Sequence, residues 1–238
     1  MKTDNTGPRT KRVPSLDGLR ACSVAFVILD HLCISGYLPL RQRWIDFGHL
    51  GVRIFFVISG FIITRLLLEE LQSSGSISLK NFYIRRFFRI VPIWACFVGV
   101  ILSALWLRHS FPGPISLLAL VTFNVDYFPP LAGSLQHLWS LSVEEKFYLL
   151  WPVTLFTADR RRAAHIALAV VLVVPIIRFF GATHGSSRAE LLWRFQNTAD
   201  AIAMGCLLAF AWGWIENRAG REPIRRLSSP LFTIAALA

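Results

Sequence analysis

The chain has 238 residues, of which 54% are hydrophobic and 16% charged, and its mean hydropathy is +0.52. It contains several apolar runs of the length that a ~30 Å hydrocarbon slab demands of a helix, which excludes an ordinary soluble domain. The net charge of +11 does not point to nucleic acid, because the cations gather at the ends of apolar runs and no basic, aromatic-studded solvated face is present.

In chain order, residues 1–15 form a polar, basic segment with no cleavage site, expected to be a cytoplasmic tail. The first apolar run is Leu19 to Gly36, with Ser15 and Asp17 as helix caps; it carries Arg20 at one end and Asp30 and His31 near the other. The second is Leu50 to Leu68. A polar stretch from Glu69 through Arg89 leads to the third, Ile90 to Leu107, with Pro92 in its first turn, where proline is tolerated. The run Ile115 to Phe123 is too short to span and is bracketed by prolines 112, 114, 129 and 130. Trp139 to Phe156, Ala163 to Phe180 and Thr198 to Ile215 follow, and a last run opens at Pro230 and stops at Ala238.

Orientation follows from the cations. If Ile115–Phe123 does not cross, the inside segments hold the N-terminal cations, Arg85, Arg86 and Arg89, the Arg160–Arg162 triplet and Arg218 to Arg226. If it does cross, the triplet moves outside, against the usual bias. The expected fold is therefore all-α, a polytopic transmembrane bundle of about six complete spans plus the start of a seventh, with residues 115–123 re-entrant. Residues 16–238 form one domain, expected to be incomplete at its C-terminus. The N-terminus is cytoplasmic and the location a cell membrane.

Ionisable residues inside a bilayer are costly, which makes each a functional candidate. Arg20 and His31 are eleven residues apart and so return to nearly one helix face, about 16 Å apart along the axis. A cation near the cytoplasm and a deeper imidazole suit a long anionic molecule entering from that side. The plain alternative is that Arg20 snorkels and His31 bonds a neighbouring backbone carbonyl. Ser140 and Glu144 share a face at i,i+4, where a carboxylate could orient or charge-balance the histidine; a helix start that favours acids explains it equally. Arg86 and Arg89, at i,i+3, suit phosphate clamping or a positive-inside anchor. Arg53, Arg65 and Asp200 lack a partner that spacing can name. His49, His109, His165 and His184 lie at span ends or in loops without metal-ligand spacing, and no metal is expected. The four cysteines look like small buried hydrophobes, Ser59–Gly60 like helix-packing residues, and the tryptophans like interfacial belts.

Four segments together resemble the acyltransferase-3 family of membrane acyltransferases: LDGLRACSVAFVILDH (16–31), GVRIFFVISGFIIT (51–64), FYIRRFFRIVPIW (82–94) and HLWSLSVEEKFYLLWP (137–152). The resemblance implies transfer of an acyl group, often acetyl, from cytoplasmic acyl-CoA to a hydroxyl of an extracytoplasmic glycan or lipid-linked sugar. In the family, an arginine and a histidine separated by ten residues, an RxxR pair and an SxxxE pair are functional. They fall here on Arg20 and His31, on Arg86 and Arg89, and on Ser140 and Glu144. Arg20, Arg86 and Arg89 would hold the acyl-CoA phosphates, which guanidinium groups can bind bidentately. His31 would serve as general base, or as a covalent acyl carrier, with Glu144 and Ser140 positioning it or the acceptor. Lys146 stands where the family often has glutamine, and the family usually has more spans. The rival reading is a proton-coupled transporter or flippase using Asp30, His31 and Asp200; a third is a non-catalytic assembly or sensing protein. The expected partners are the lipid bilayer, acyl-CoA and the acceptor, with no nucleic acid and no permanently bound cofactor.

Overall fold

The computed structural model describes residues 14–34, 37, 46–128 and 133–219, and among them every regular element is a helix. They are α1 (Pro14–Ile34), α2 (Phe47–Ser74), α3 (Leu79–Leu107), α4 (Pro114–Val121), α5 (Gly133–Gln136), α6 (Leu138–Thr157), α7 (Arg160–Thr183), α8 (Arg188–Trp193) and α9 (Phe195–Ala219). The N-terminal tail, Pro129 and Pro130, the run beginning at Pro230 and the basic residues from Arg221 to Arg226 lie outside the described residues.

Local chemistry sets the helix ends. Asp46 caps α2 by accepting from the His49 N–H at 3.0 Å. Gly75 ends α2 in the left-handed region at φ 75°, its N–H donating to the Leu71 carbonyl. Ser78 then caps α3, while the Glu70 carboxylate accepts from the Ser78 N–H at 2.9 Å and pairs with Arg85 at 3.5 Å. Asp159 caps α7, and Ser187 and Glu190 form a reciprocal capping box on α8.

These ends correct two sequence expectations. Ser15 and Asp17 fall inside the first turn of α1, which starts at Pro14. The basic stretch before Ile90 is helical from Leu79, so Pro92 sits deep inside α3 rather than in its first turn. Lacking an N–H, Pro92 leaves the Phe88 carbonyl without its usual i+4 donor. Charge alone does not stop a helix; the glycine stop and serine cap do, and both precede the arginines.

Among the described residues, three helices, α2, α3 and α7, are long and apolar enough to cross a membrane. Helices α1 and α6 match expected spans in position but hold more charge, α1 with Asp17, Arg20 and Asp30, and α6 with Glu144, Glu145 and Lys146. Helix α4 has eight residues, about 12 Å of rise, and cannot cross.

Helix α9 packs between α2 and α7, α1 packs on α2, and α6 bridges α2, α7 and α9. The core is built from Phe56, Ile63, Leu67, Val143, Phe147, Trp151, Ile202 and Phe210. Small residues let α2 and α9 approach closely: a Cβ on Gly60 would collide with the Ile202 carbonyl, and one on Gly205 with the Val57 carbonyl. Thr64 donates to the Gly60 carbonyl at 2.7 Å and accepts from the Trp151 indole at 2.8 Å, tying α6 to α2. Trp139 and Trp151 are thus buried in the core and not in an interfacial belt. By contrast, α3 buries only Phe82 and Val98 and exposes Phe87, Phe88, Ile93, Val100, Trp106 and Leu107. Cys96 lies on that exposed helix, whereas Cys206 is buried in α9, so the cysteines do not share one environment.

Candidate active site

The candidate residues gather at two levels of the bundle. At the C-terminal end of α1, His31 Nδ1 lies 2.8 Å from the Val27 carbonyl. A carbonyl oxygen can only accept, so the neutral ring carries its proton on Nδ1 and keeps the Nε2 lone pair for other work. The backbone bond of the plain alternative is thus present. The His137 ring stands edge-on to His31 with centroids 6.3 Å apart, and Phe97 packs on His137 at 5.4 Å. Burial lowers the His137 pKa, and the His31 charge adds to that shift. Ser140, one turn into α6, donates its hydroxyl back to the His137 carbonyl at 3.1 Å.

The second level lies further along α3 and α6. The Arg86 guanidinium carbon sits 3.4 Å above the Tyr148 ring centroid, a cation–π contact. Glu144 is buried with the side chains of Ser59, Tyr148, Arg86 and Glu145 around it. Arg86 Nε, Ser59 Oγ, Glu144 Oε1 and Glu145 Oε1 are buried without a hydrogen-bond partner among the described residues. Orphaned polar atoms of both signs at one place mark a site built for more than packing. Beside it opens a cleft of about 250 Å³ lined by Phe82, Tyr83, Arg86, Phe123, Glu145 and Lys146.

Tyr148 lies eleven residues beyond His137 on α6, so the two levels are separated by about 16 Å of helix. That equals the Arg20–His31 offset on α1, which is one unbroken helix. Arg20 is half-buried, and its Nε lacks a partner among the described residues. The structure brings Arg86 together with Glu144 and His31 together with His137. Glu144 faces Ser59 and Arg86, while His31 is met by His137. Arg89 is exposed, away from the enclosed position of Arg86.

Sequence reasoning missed His137, Glu145, Tyr148 and Arg178. Ser59, taken as a packing residue, lies beside Glu144. Arg178 had a usable signal, a guanidinium inside the apolar run Ala163–Phe180. It pairs with Asp200 at 2.7 Å, and Arg53 pairs with the same Oδ2 at 2.9 Å, which supplies the partners spacing could not name. Lys146 is engaged too. It donates to Asp126 and, at 2.9 Å, to the carbonyl of Phe123, a residue held at φ 52°. Asp126 also accepts from the Phe195 N–H at 3.2 Å, so one buried carboxylate ties the α4–α5 connection to α6 and α9.

A family model described as an acyltransferase domain matches residues 13–238, nearly all of the chain. The chain belongs to the acyltransferase-3 family. Among curated proteins it is similar to the peptidoglycan O-acetyltransferase OatA of Listeria monocytogenes, 32% identical over 221 residues, covering 85% of this chain and 34% of that protein. It is likewise similar to the O-acetyltransferase OatA of Staphylococcus aureus, 32% identical over 221 residues, covering 84% of this chain and 35% of that protein. The chain thus spans about a third of the length of these relatives. No solved structure matches it. All four segments that carried the sequence resemblance fall inside the acyltransferase-3 match.

Proposed function

We propose that this chain is a membrane O-acyltransferase that moves an acyl group, acetyl by analogy with its relatives, from cytoplasmic acyl-CoA to a hydroxyl of an extracytoplasmic glycan. The observation that carries the proposal is the His31 imidazole, its Nδ1–H committed to a carbonyl, set about 16 Å along the bundle from the level of the Arg86 guanidinium, whose Nε is buried. The basic inside segments set the N-terminus and Arg86 toward the cytoplasm and His31 toward the far side. Arg86, Arg89 and Arg20 take the donor's phosphates, and the pantetheine arm runs up the bundle to the imidazole. His31 Nε2 removes the acceptor hydroxyl proton as the oxygen attacks the thioester carbonyl. The C–S bond then breaks, and the thiolate leaves as CoA after taking up a proton. Glu144, enclosed beside Arg86, acts at the donor level by balancing that guanidinium.

The family membership and the OatA relatives support this reading, the peptidoglycan acetyltransferase among them naming a glycan acceptor. The test is glycan O-acylation in a null strain complemented with full-length protein. His31→Ala is expected to lower product at least 100-fold at normal membrane levels, and Arg20→Ala to lower it at least 10-fold, in the range general-base and charged contacts supply. Near-normal acylation by His31→Ala would end the proposal. Acyl-CoA binding is expected to weaken at least 10-fold in the Arg86→Ala/Arg89→Ala double variant; unchanged affinity would leave those arginines as topology anchors.

A further inference from the structure

The Arg53–Asp200–Arg178 cluster is not used by the chemistry above, and its charges do not balance. Both guanidiniums donate to one oxygen of one carboxylate, Asp200 Oδ2. Its other oxygen, Oδ1, is buried without a hydrogen-bond partner among the described residues, in a side chain only 8% exposed. Of the acids on neighbouring elements, Asp46 pairs with Arg188 at 3.5 Å and Glu190 with Arg194 at 2.5 Å, while Asp30 of α1 lies buried beside Gly48 of α2. Arg53 makes one hydrogen bond here, from Nη2, out of the five donors a guanidinium offers. Arg178 spends a further donor on the Asn197 carbonyl at 3.1 Å. Both arginine side chains stay partly open, at 35% and 26% exposure, so a ligand can reach them. A pure structural clamp would need one cation for one carboxylate; a surplus guanidinium in an apolar bundle is expensive unless an anion visits it.

The cluster is also continuous with the catalytic end. His31 faces His137, Trp139 follows two residues later, and the Trp139 ring packs on His49 with centroids 6.1 Å apart. Arg53 lies one turn beyond His49 on α2. We propose that the Arg53–Asp200–Arg178 cluster is the acceptor subsite and that it takes an acidic sugar, its carboxylate on the two guanidiniums and a neighbouring hydroxyl donating to Asp200 Oδ1. A bare phosphate diester satisfies the cations but brings no donor for that oxygen, whereas an acidic sugar brings both; a lipid headgroup with hydroxyls, such as phosphatidylglycerol, is the competitor that the experiment separates from it. The inference rests on the acyltransferase reading for its place in the reaction, though not for the binding itself.

The experiment uses the full-length protein in phosphatidylcholine nanodiscs. The probes are a tetrasaccharide of alternating N-acetylglucosamine and N-acetylmuramic acid as the free acid, and the same compound as its methyl ester. Direct binding is measured first. The free acid is expected to bind at least 10-fold tighter than the ester, and this preference is expected to fall to within two-fold in Arg53→Gln and in Arg178→Gln. Arg178→Lys, which keeps the charge, is expected to retain part of it. With labelled acetyl-CoA, the acceptor KM is expected to follow the same pattern while the acetyl-CoA KM stays within two-fold. Equal binding of acid and ester by the parent protein, or equal losses for both probes in the variants, would overturn the subsite. Loss of the acid preference only when phosphatidylglycerol replaces phosphatidylcholine would indicate competition for the same anion site and support it; tight phosphatidylglycerol binding with no acid preference would assign the cluster to lipid and overturn it. An acid preference in binding without any acetyl transfer would remove the proposed reaction and leave the binding site standing.

Discussion

One lone pair decides what His31 can do. Its Nδ1 lies 2.8 Å from the Val27 carbonyl one turn back, which in the neutral ring puts the proton on Nδ1 and the lone pair on Nε2. The neighbouring His137 adds a pH dependence. Its pKa is depressed by burial and, to a lesser degree, by the His31 charge, so the folded protein prefers this ring neutral. A depressed pKa contributes stability that is complete above the unfolded imidazole value of about 6.5 and is lost as pH falls through the folded value. The melting temperature of the purified full-length protein is therefore expected to fall between pH 7 and pH 5, and His137→Gln is expected to flatten that fall. An identical slope in the variant would show that His137 does not titrate against folding. His31 and Glu144 were legible in the sequence because a charge inside an apolar run announces its own cost. His137 was not, because it sits at the start of α6 among residues that any helix end accommodates. The pairing of Arg86 with Glu144 was also hidden, since it depends on how α3 meets α6, and spacing within one helix carries no information about that.

Helices were easy to detect and harder to bound. Each expected span within the described residues coincides with a long helix, though only α2, α3 and α7 are apolar enough to cross a membrane. The ends depend on single capping residues, and hydropathy passes over them: Ser78 and Gly75 moved the start of α3 eleven residues ahead of its apolar run. Contacts between helices leave a different trace. Gly60 and Gly205 sit where α2 and α9 come closest, and neither position has room for a methyl group. Gly60→Ala is expected to lower stability by about 1–3 kcal/mol, the range for overpacking a tight interface. Gly99→Ala in α3, where a Cβ meets nothing within 4 Å, is expected to be neutral or to gain up to about 1 kcal/mol from helix propensity. Thermal denaturation in detergent separates the two; equal effects would mean that the α2–α9 contact is not close.

For the whole molecule, one arrangement joins the parts. Helix α9 is wedged between α2 and α7 and brings Asp200 to arginines from both, while α3 keeps most of its apolar surface uncovered. The sequence conveyed the class and the order of the helices. It could not convey which helix is central, because the apolar character of α9 lies between those of α2 and α7. Orientation follows from loop charge and has a direct check. In a cysteine-free background, Arg188→Cys is expected to react with a membrane-impermeant maleimide in intact cells, and Arg161→Cys only after permeabilisation. The reverse pattern would invert the bundle and place His31 on the donor side.

Two four-residue turns, 75–78 between α2 and α3 and 184–187 between α7 and α8, differ in a way that matters to anyone engineering this chain. Between α2 and α3, Gly75, Ser78 and Glu70 are all spoken for, so one inserted residue would swing Arg86 by ~100° around the α3 axis and off Tyr148. After α7, Gly185 at φ 82° looks into open space. An epitope threaded through that second turn should leave Arg86 stacked on Tyr148, whereas the first will not forgive even a single extra amino acid.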